Sequence, residues 1–299
     1  MKTSKMLRLL AIVPVAAAMY FASPEAEAEA ASGRISVKVG DQTRSAFVVE
    51  RYRTKRKLRP TIIVLGDSPR LSTASRRGLR FQNFVQRGGV LVYAAPAGGK
   101  WTIGAQGAAP NETAYLRALI AQLRRNSLAD TRRIYLVGVG SGGMVALQAA
   151  CSEARLFAGV AAALSSLPAG QAANCQPSRP VPMMLIAGDA DKRMPFGGGE
   201  ASLANFKGAV APAEETVQAF ARAASCAGKP ARRDLPDRNR TDASRVVLET
   251  HAGCKAPVRL VRVQGGGHFL PALGARQTAI RGQNRDVTST SLITSFFRL

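Results

Sequence analysis

Apolar and polar positions change their period along this chain, and the changes mark out its elements. "RISVKV" (Arg34–Val39) alternates like a half-buried strand, and "SAFVVERY" (Ser45–Tyr52) follows as a second. "TIIVL" (Thr61–Leu65) is a continuous apolar run, and "VLVYA" (Val90–Ala94) reads as the next buried strand. "RIYLVG" (Arg133–Gly138), "FAGVAAAL" (Phe157–Leu164) and "MMLIAG" (Met183–Gly188), also mostly apolar, read as further strands. Such runs suit strands covered on both faces. "VRLVRV" (Val258–Val263) is read as the last strand. Between the strands lie helical patterns. One covers roughly 71–86. "ETAYLRALIAQLRR" (Glu112–Arg125) puts Tyr115, Leu116, Leu119, Ile120 and Leu123 on one face. "MVALQAACS" (Met144–Ser152) and "SLITSFF" (Ser291–Phe297) are two more. This alternation predicts the α/β class: one domain over 34–299, with a mostly parallel sheet and helices on both faces. The polar, proline-bearing stretch 228–244 is expected to be the least ordered, an excursion between a helix and a strand.

Ligands in such sheets sit at the carboxyl ends of the strands. The residues there are Leu65-Gly66-Asp67, Gly138–Gly142, Asp189–Asp191 and Gly265–His268. "LVGVGSGGMVAL" (Leu136–Leu147) enters a glycine cluster as a strand and leaves it as a helix. That suggests a nucleophile elbow, G-x-S-x-G. The frame is displaced, however. With Gly138 and Gly142 as outer glycines, the middle position is Gly140. Centred on Ser141, the motif has Val139 where a small residue is needed.

The composition places this chemistry in a compartment. Lys2, Lys5 and Arg8 precede an apolar run, Leu9–Phe21, and small-x-small cleavage sites follow at Ala28 and Ala30. This pattern predicts a signal peptide over 1–28 and a secreted or periplasmic mature protein, with no transmembrane segment after cleavage. Four cysteines, Cys151, Cys175, Cys226 and Cys254, suit export as two disulfides, for which three pairings exist. None has metal-site spacing and the chain holds two histidines, so no metal or cofactor is expected. The formal charge is +23. Cleavage after Ala28 removes Lys2, Lys5, Arg8, Glu25 and Glu27, which lowers it by one. Such a charge attracts anionic envelope or wall polymers. Export, and basic runs without interleaved aromatics, argue against nucleic acid.

Elbow, acid and histidine follow each other at three strand ends: Gly140, Asp191, His268. This is the α/β-hydrolase order. "GDADKRMPFGGG" resembles the acid loop of exported polyhydroxybutyrate depolymerases and feruloyl (acetylxylan) esterases. "VQGGGHFLP" resembles their histidine loop, "GVGSGGM" their elbow, and Trp101 the tryptophan after their fourth strand. The cysteine contexts match as well, and the resemblance runs from about Ile35 to Phe297. It implies the α/β-hydrolase fold, Asp191 as triad acid, His268 as triad base, and disulfides Cys151–Cys175 and Cys226–Cys254. It places the oxyanion hole at Gly66, Asp67 and the Ser141 amide, and cleft residues at Leu65, Trp101 and Leu270. His251 is read as a surface residue.

The same resemblance exposes departures. The nucleophile falls on Gly140, which offers no oxygen. The family's L-H-G-G strand end is here "VLGD", with Leu65 for the histidine and Asp67 for a glycine. Leu270 stands where a tryptophan is usual. Ser141 is read as a helix-start serine, with nucleophile as its alternative role. The expectation is a related hydrolase with weak or lost serine-esterase activity and a retained cleft for an ester, polyester or acylated saccharide. The alternative is an active esterase using Ser141, Asp191 and His268. On the first reading, Gly140→Ser alone restores part of a triad.

Overall fold

The computed structural model describes residues 31–51, 58–67, 79, 81–104, 110–272 and 282–299. The expected signal peptide and most of the expected helix over 71–86 lie outside them.

Twelve strands are present among the described residues: β1 (Ala31–Val39), β2 (Gln42–Glu50), β3 (Arg59–Leu65), β4 (Val90–Ala94), β5 (Ala129–Val139), β6 (Gly159–Ala163), β7 (Met183–Gly188), β8 (Gly199–Leu203), β9 (Phe206–Val210), β10 (Ala227–Asp234), β11 (Arg245–Ala252) and β12 (Val258–Gln264). The helices are α1 (Gln82–Gln86), α2 (Pro110–Arg125), α3 (Ser141–Ser152), α4 (Gln171–Asn174), α5 (Ala213–Ala223) and α6 (Ser289–Phe297). Ten strands form one sheet in the order β1-β2-β4-β3-β5-β6-β7-β12-β11-β10. From β4 to β12 every neighbouring pair is parallel, and the outer pairs are antiparallel.

The continuous apolar runs are the central strands. β4, β6 and β7 are buried throughout their length. One apolar layer joins the sheet to α2, α3 and α5 through Leu116, Val145 and Val217. The other joins it to α1 and α6 through Phe84, Ile293 and Phe296. The predicted face of α2 is the buried one, with Tyr115, Leu116, Leu119, Ile120 and Leu123 at most 5% exposed.

The region 228–244 departs from expectation. Its first part belongs to β10, an edge strand paired with β11. No residue of β10 is fully buried. The strand therefore has no apolar alternation to reveal it; backbone pairing with β11 holds it, joined by the Arg232–Glu249 ion pair at 3.6 Å. Pro230 and the charges Lys229, Arg232 and Arg233 suit an edge that must not pair further. β11, the β8–β9 hairpin and α5 were also not predicted.

The cysteines pair as Cys151–Cys175 and Cys226–Cys254, with Cα–Cα distances of 5.0 and 4.0 Å. The first ties the end of α3 to the segment after α4. The second ties the end of α5 to the turn between β11 and β12.

Candidate active site

β3 lies between β4 and β5, so the direction of strand order reverses at β3. A crevice at the carboxyl ends of strands at such a point is where α/β sheets bind ligands. The register pairs Leu65 with Gly138. Two residues further along each strand bring Asp67 beside Gly140.

Gly140 has φ 55° and ψ −125°. An L-residue in such a conformation is strained by about 1–3 kcal/mol, whereas glycine is not. The chain leaves β5 here and enters α3 at once. The Gly140 carbonyl accepts the Gly143 and Met144 amides at 2.9 and 3.1 Å. The strained turn therefore centres on Gly140, and Ser141 is already helical. The flanking glycine at 138 is required sterically, because a Cβ there would lie 2.4 Å from the Gly142 carbonyl oxygen.

The position a side chain on Gly140 would occupy is filled. A Cβ built there would stand 2.6 Å from Asp67 Oδ1 and 2.7 Å from its Cγ. The Asp67 carboxylate is held firmly. Its Oδ1 accepts the Ser141 amide at 2.8 Å and faces the Ser141 hydroxyl at 2.7 Å. That hydroxyl is also 2.8 Å from the Asp67 carbonyl oxygen, which accepts Asn205 Nδ2 at 2.6 Å. Asp67 is 8% exposed and Ser141 is fully buried. The amide of the residue after the elbow, expected to serve an oxyanion, donates to this chain's own carboxylate instead. The serine hydroxyl is committed to the same residue.

The acid and the histidine are brought together. His268 Nδ1 lies 2.6 Å from Asp191 Oδ2. Asp191 is fixed by the Arg193 and Met194 amides on its Oδ1, at 2.8 and 3.0 Å. The side chains are 12% and 1% exposed. With Nδ1 donating to the carboxylate, Nε2 is the basic nitrogen of the ring. The two loops approach closely because Gly188, ending β7, has no Cβ. One would lie 2.3 Å from the Gly266 carbonyl oxygen.

The expected cleft residues sit elsewhere. Leu65 is fully buried in the core on the α2–α3 side of the sheet, since it is still within β3. Trp101 is 3% exposed, and its indole N–H donates to the Gly66 carbonyl at 2.6 Å. It props the β3 end from beneath rather than lining an opening. Leu270 is half-buried against the apolar layer on the other side of the sheet. His251, read as a surface residue, is half-buried on β11.

Asn205 was not anticipated. It occupies the turn of the β8–β9 hairpin, which packs Ala201, Leu203 and Val210 on Met144 and Met194. Nothing local in "LANF" signals this contact, which spans 138 residues of sequence.

Comparison with known proteins settles the architecture. Acetyl xylan esterase from Aspergillus awamori superposes with a TM-score of 0.58 at 13% identity, over 90% of this chain and 99% of that one. The chain is an α/β-hydrolase by fold. No family model matches it. In sequence, part of it is similar to proteins named as esterases. It is 32% identical over 167 residues to NocK of Nocardia uniformis subsp. tsuyamanensis, a protein assigned as an esterase. It is 25% identical over 178 residues to feruloyl esterase B of Piromyces equi. Those matches take in 52% and 58% of this α/β-hydrolase, and 48% and 32% of the two relatives.

Proposed function

We propose that this protein is an exported hydrolase relative that has lost serine-esterase chemistry and keeps a cleft for an ester, polyester or acylated saccharide. One observation carries the reading. The Asp67 carboxylate stands where the elbow side chain of an active serine esterase would project, and it takes the amide that would serve the oxyanion. Acyl transfer needs donors aimed at developing negative charge. A fixed carboxylate in that place opposes such charge. Ser141 is not an alternative nucleophile on this reading, because its hydroxyl is bound to Asp67. Asp191 and His268 are assigned the acid and base roles that remain. The sequence relatives named as esterases support the ester class of ligand. The basic surface is assigned to loose adhesion on anionic envelope polymers.

The test has two arms. Fluorophosphonate labelling and p-nitrophenyl acetate hydrolysis are expected at background for the wild type. Acetylated xylo-oligosaccharide is expected to change the fluorescence of Trp101, the chain's one tryptophan, which contacts the Gly66 carbonyl. Rapid hydrolysis abolished by Ser141→Ala would overturn the reading.

A further inference from the structure

We propose that Asp67 is itself a nucleophile, in a two-step hydrolysis of alkyl compounds that carry a stable leaving anion. The proposal rests on the reading that no serine acts at this site. It starts from the division of labour between the two carboxylate oxygens. Oδ1 accepts the Ser141 amide and hydroxyl. Oδ2 takes none of these bonds. Two donors on one oxygen fix the plane of the group, and Asn205 fixes the backbone behind it. The carboxylate stands at the strand edge that also carries the His268–Asp191 pair. Met144 and Met194 are buried beneath the β8–β9 hairpin that carries Asn205, which seats that hairpin against the elbow helix.

The type of carbon attacked follows from the occupied donors. Attack on an ester carbonyl creates an oxyanion on the substrate, and the Ser141 amide is already taken. Displacement at a saturated carbon creates none, because the charge departs with the leaving group. In the first step Oδ2 bonds to the alkyl carbon, the carbon–halogen bond breaks, and halide leaves. Asp67 becomes an alkyl ester. In the second step His268 Nε2 takes a proton from water, and the resulting hydroxide attacks Asp67 Cγ. Negative charge then builds on Oδ1, where the Ser141 amide and hydroxyl already point. The pair that blocks a serine mechanism thus serves as the oxyanion hole for hydrolysing this ester. Asp191 stabilises the imidazolium, which returns its proton to the departing alkoxide. The sum is alkyl halide plus water giving alcohol, halide and a proton. The water oxygen stays in the Asp67 carboxylate, and the alcohol carries away the former Oδ2.

All four cysteines are in disulfides, so no thiol competes for an alkylating probe. The experiment treats the disulfide-intact protein with 1-bromohexane. Wild type is expected to release bromide and hexanol, and in heavy-oxygen water the peptide holding Asp67 should gain one heavy oxygen. His268→Gln should stop at the intermediate, with one hexyl group on residue 67. Asp67→Asn keeps an acceptor for the Ser141 amide and should retain the wild-type circular dichroism while losing both bromide release and adduct. Bromide release that persists in Asp67→Asn would overturn the proposal. So would a wild type that releases none together with a His268→Gln protein free of adduct at Asp67. Neither result touches the loss of serine chemistry, which fluorophosphonate labelling reads separately.

Discussion

Adding one Cβ to Gly140 places a carbon 2.6 Å from Asp67 Oδ1, far inside contact distance. The glycine and the aspartate therefore depend on each other. The structure revises the expectation that Gly140→Ser alone restores part of a triad: the new hydroxyl would meet a carboxylate held in its place. The single variant is expected to leave p-nitrophenyl acetate turnover at background and to lower stability. Asp67→Gly combined with Gly140→Ser clears the position and frees the Ser141 amide. The double variant should hydrolyse the ester measurably, and steady-state assays of the two proteins side by side check this. Ser141→Ala should leave p-nitrophenyl acetate turnover at the wild-type background, because the hydroxyl is not an attacking group on an acyl ester. It removes a hydrogen bond to a carboxylate, so urea unfolding should show a loss of about 1.5–3 kcal/mol.

At the scale of elements, the β5–α3 junction is made by close approach rather than by side-chain packing. A Cβ on Gly138 would lie 2.4 Å from the Gly142 oxygen and 2.5 Å from the Gly143 Cα. Gly138→Ala should lower stability by about 1–3 kcal/mol or more, measured by urea melts, because backbone cannot move aside as a side chain can. On β11, burial holds the His251 imidazole below its usual value, while Glu249 acts in the opposite sense. The fold thus favours the neutral ring, and the unfolded chain takes up the proton first. Stability should fall as pH drops below about 6.5, until the folded protein's lower value is passed. His251→Gln should flatten that part of the profile, as read from urea melts at pH 7.5 and pH 5.

Legibility in the sequence also divides by element. Central strands were visible because burial on both faces leaves uninterrupted apolar runs such as "TIIVL" and "MMLIAG". α2 was visible because one face is apolar. β10 was not, because neither of its faces is buried. At the site, the displaced glycine frame and the departure at Asp67 could be read in the sequence. Their contact could not, since it joins residues 74 apart through the β3–β5 register. Asn205 was hidden for the same reason.

Over the whole molecule, two disulfides tie helix ends to neighbouring loops across separations of 24 and 28 residues. Loops of that size correspond to about 3–4 kcal/mol each in the chain-entropy account. Together they are comparable to the whole stability of many domains. Replacing Cys226 and Cys254 by alanine should lower Tm by roughly 10 °C, read from thermal melts beside the wild type. The central claim about the molecule is that the elbow carries no serine and that the Asp67 carboxylate holds its place. Its most direct test is fluorophosphonate labelling followed by peptide mass spectrometry, on wild type and on the Asp67→Gly, Gly140→Ser double variant. The account predicts an unlabelled wild type and a label at position 140 in the double variant. A phosphonylated Ser141 in the wild type would contradict it.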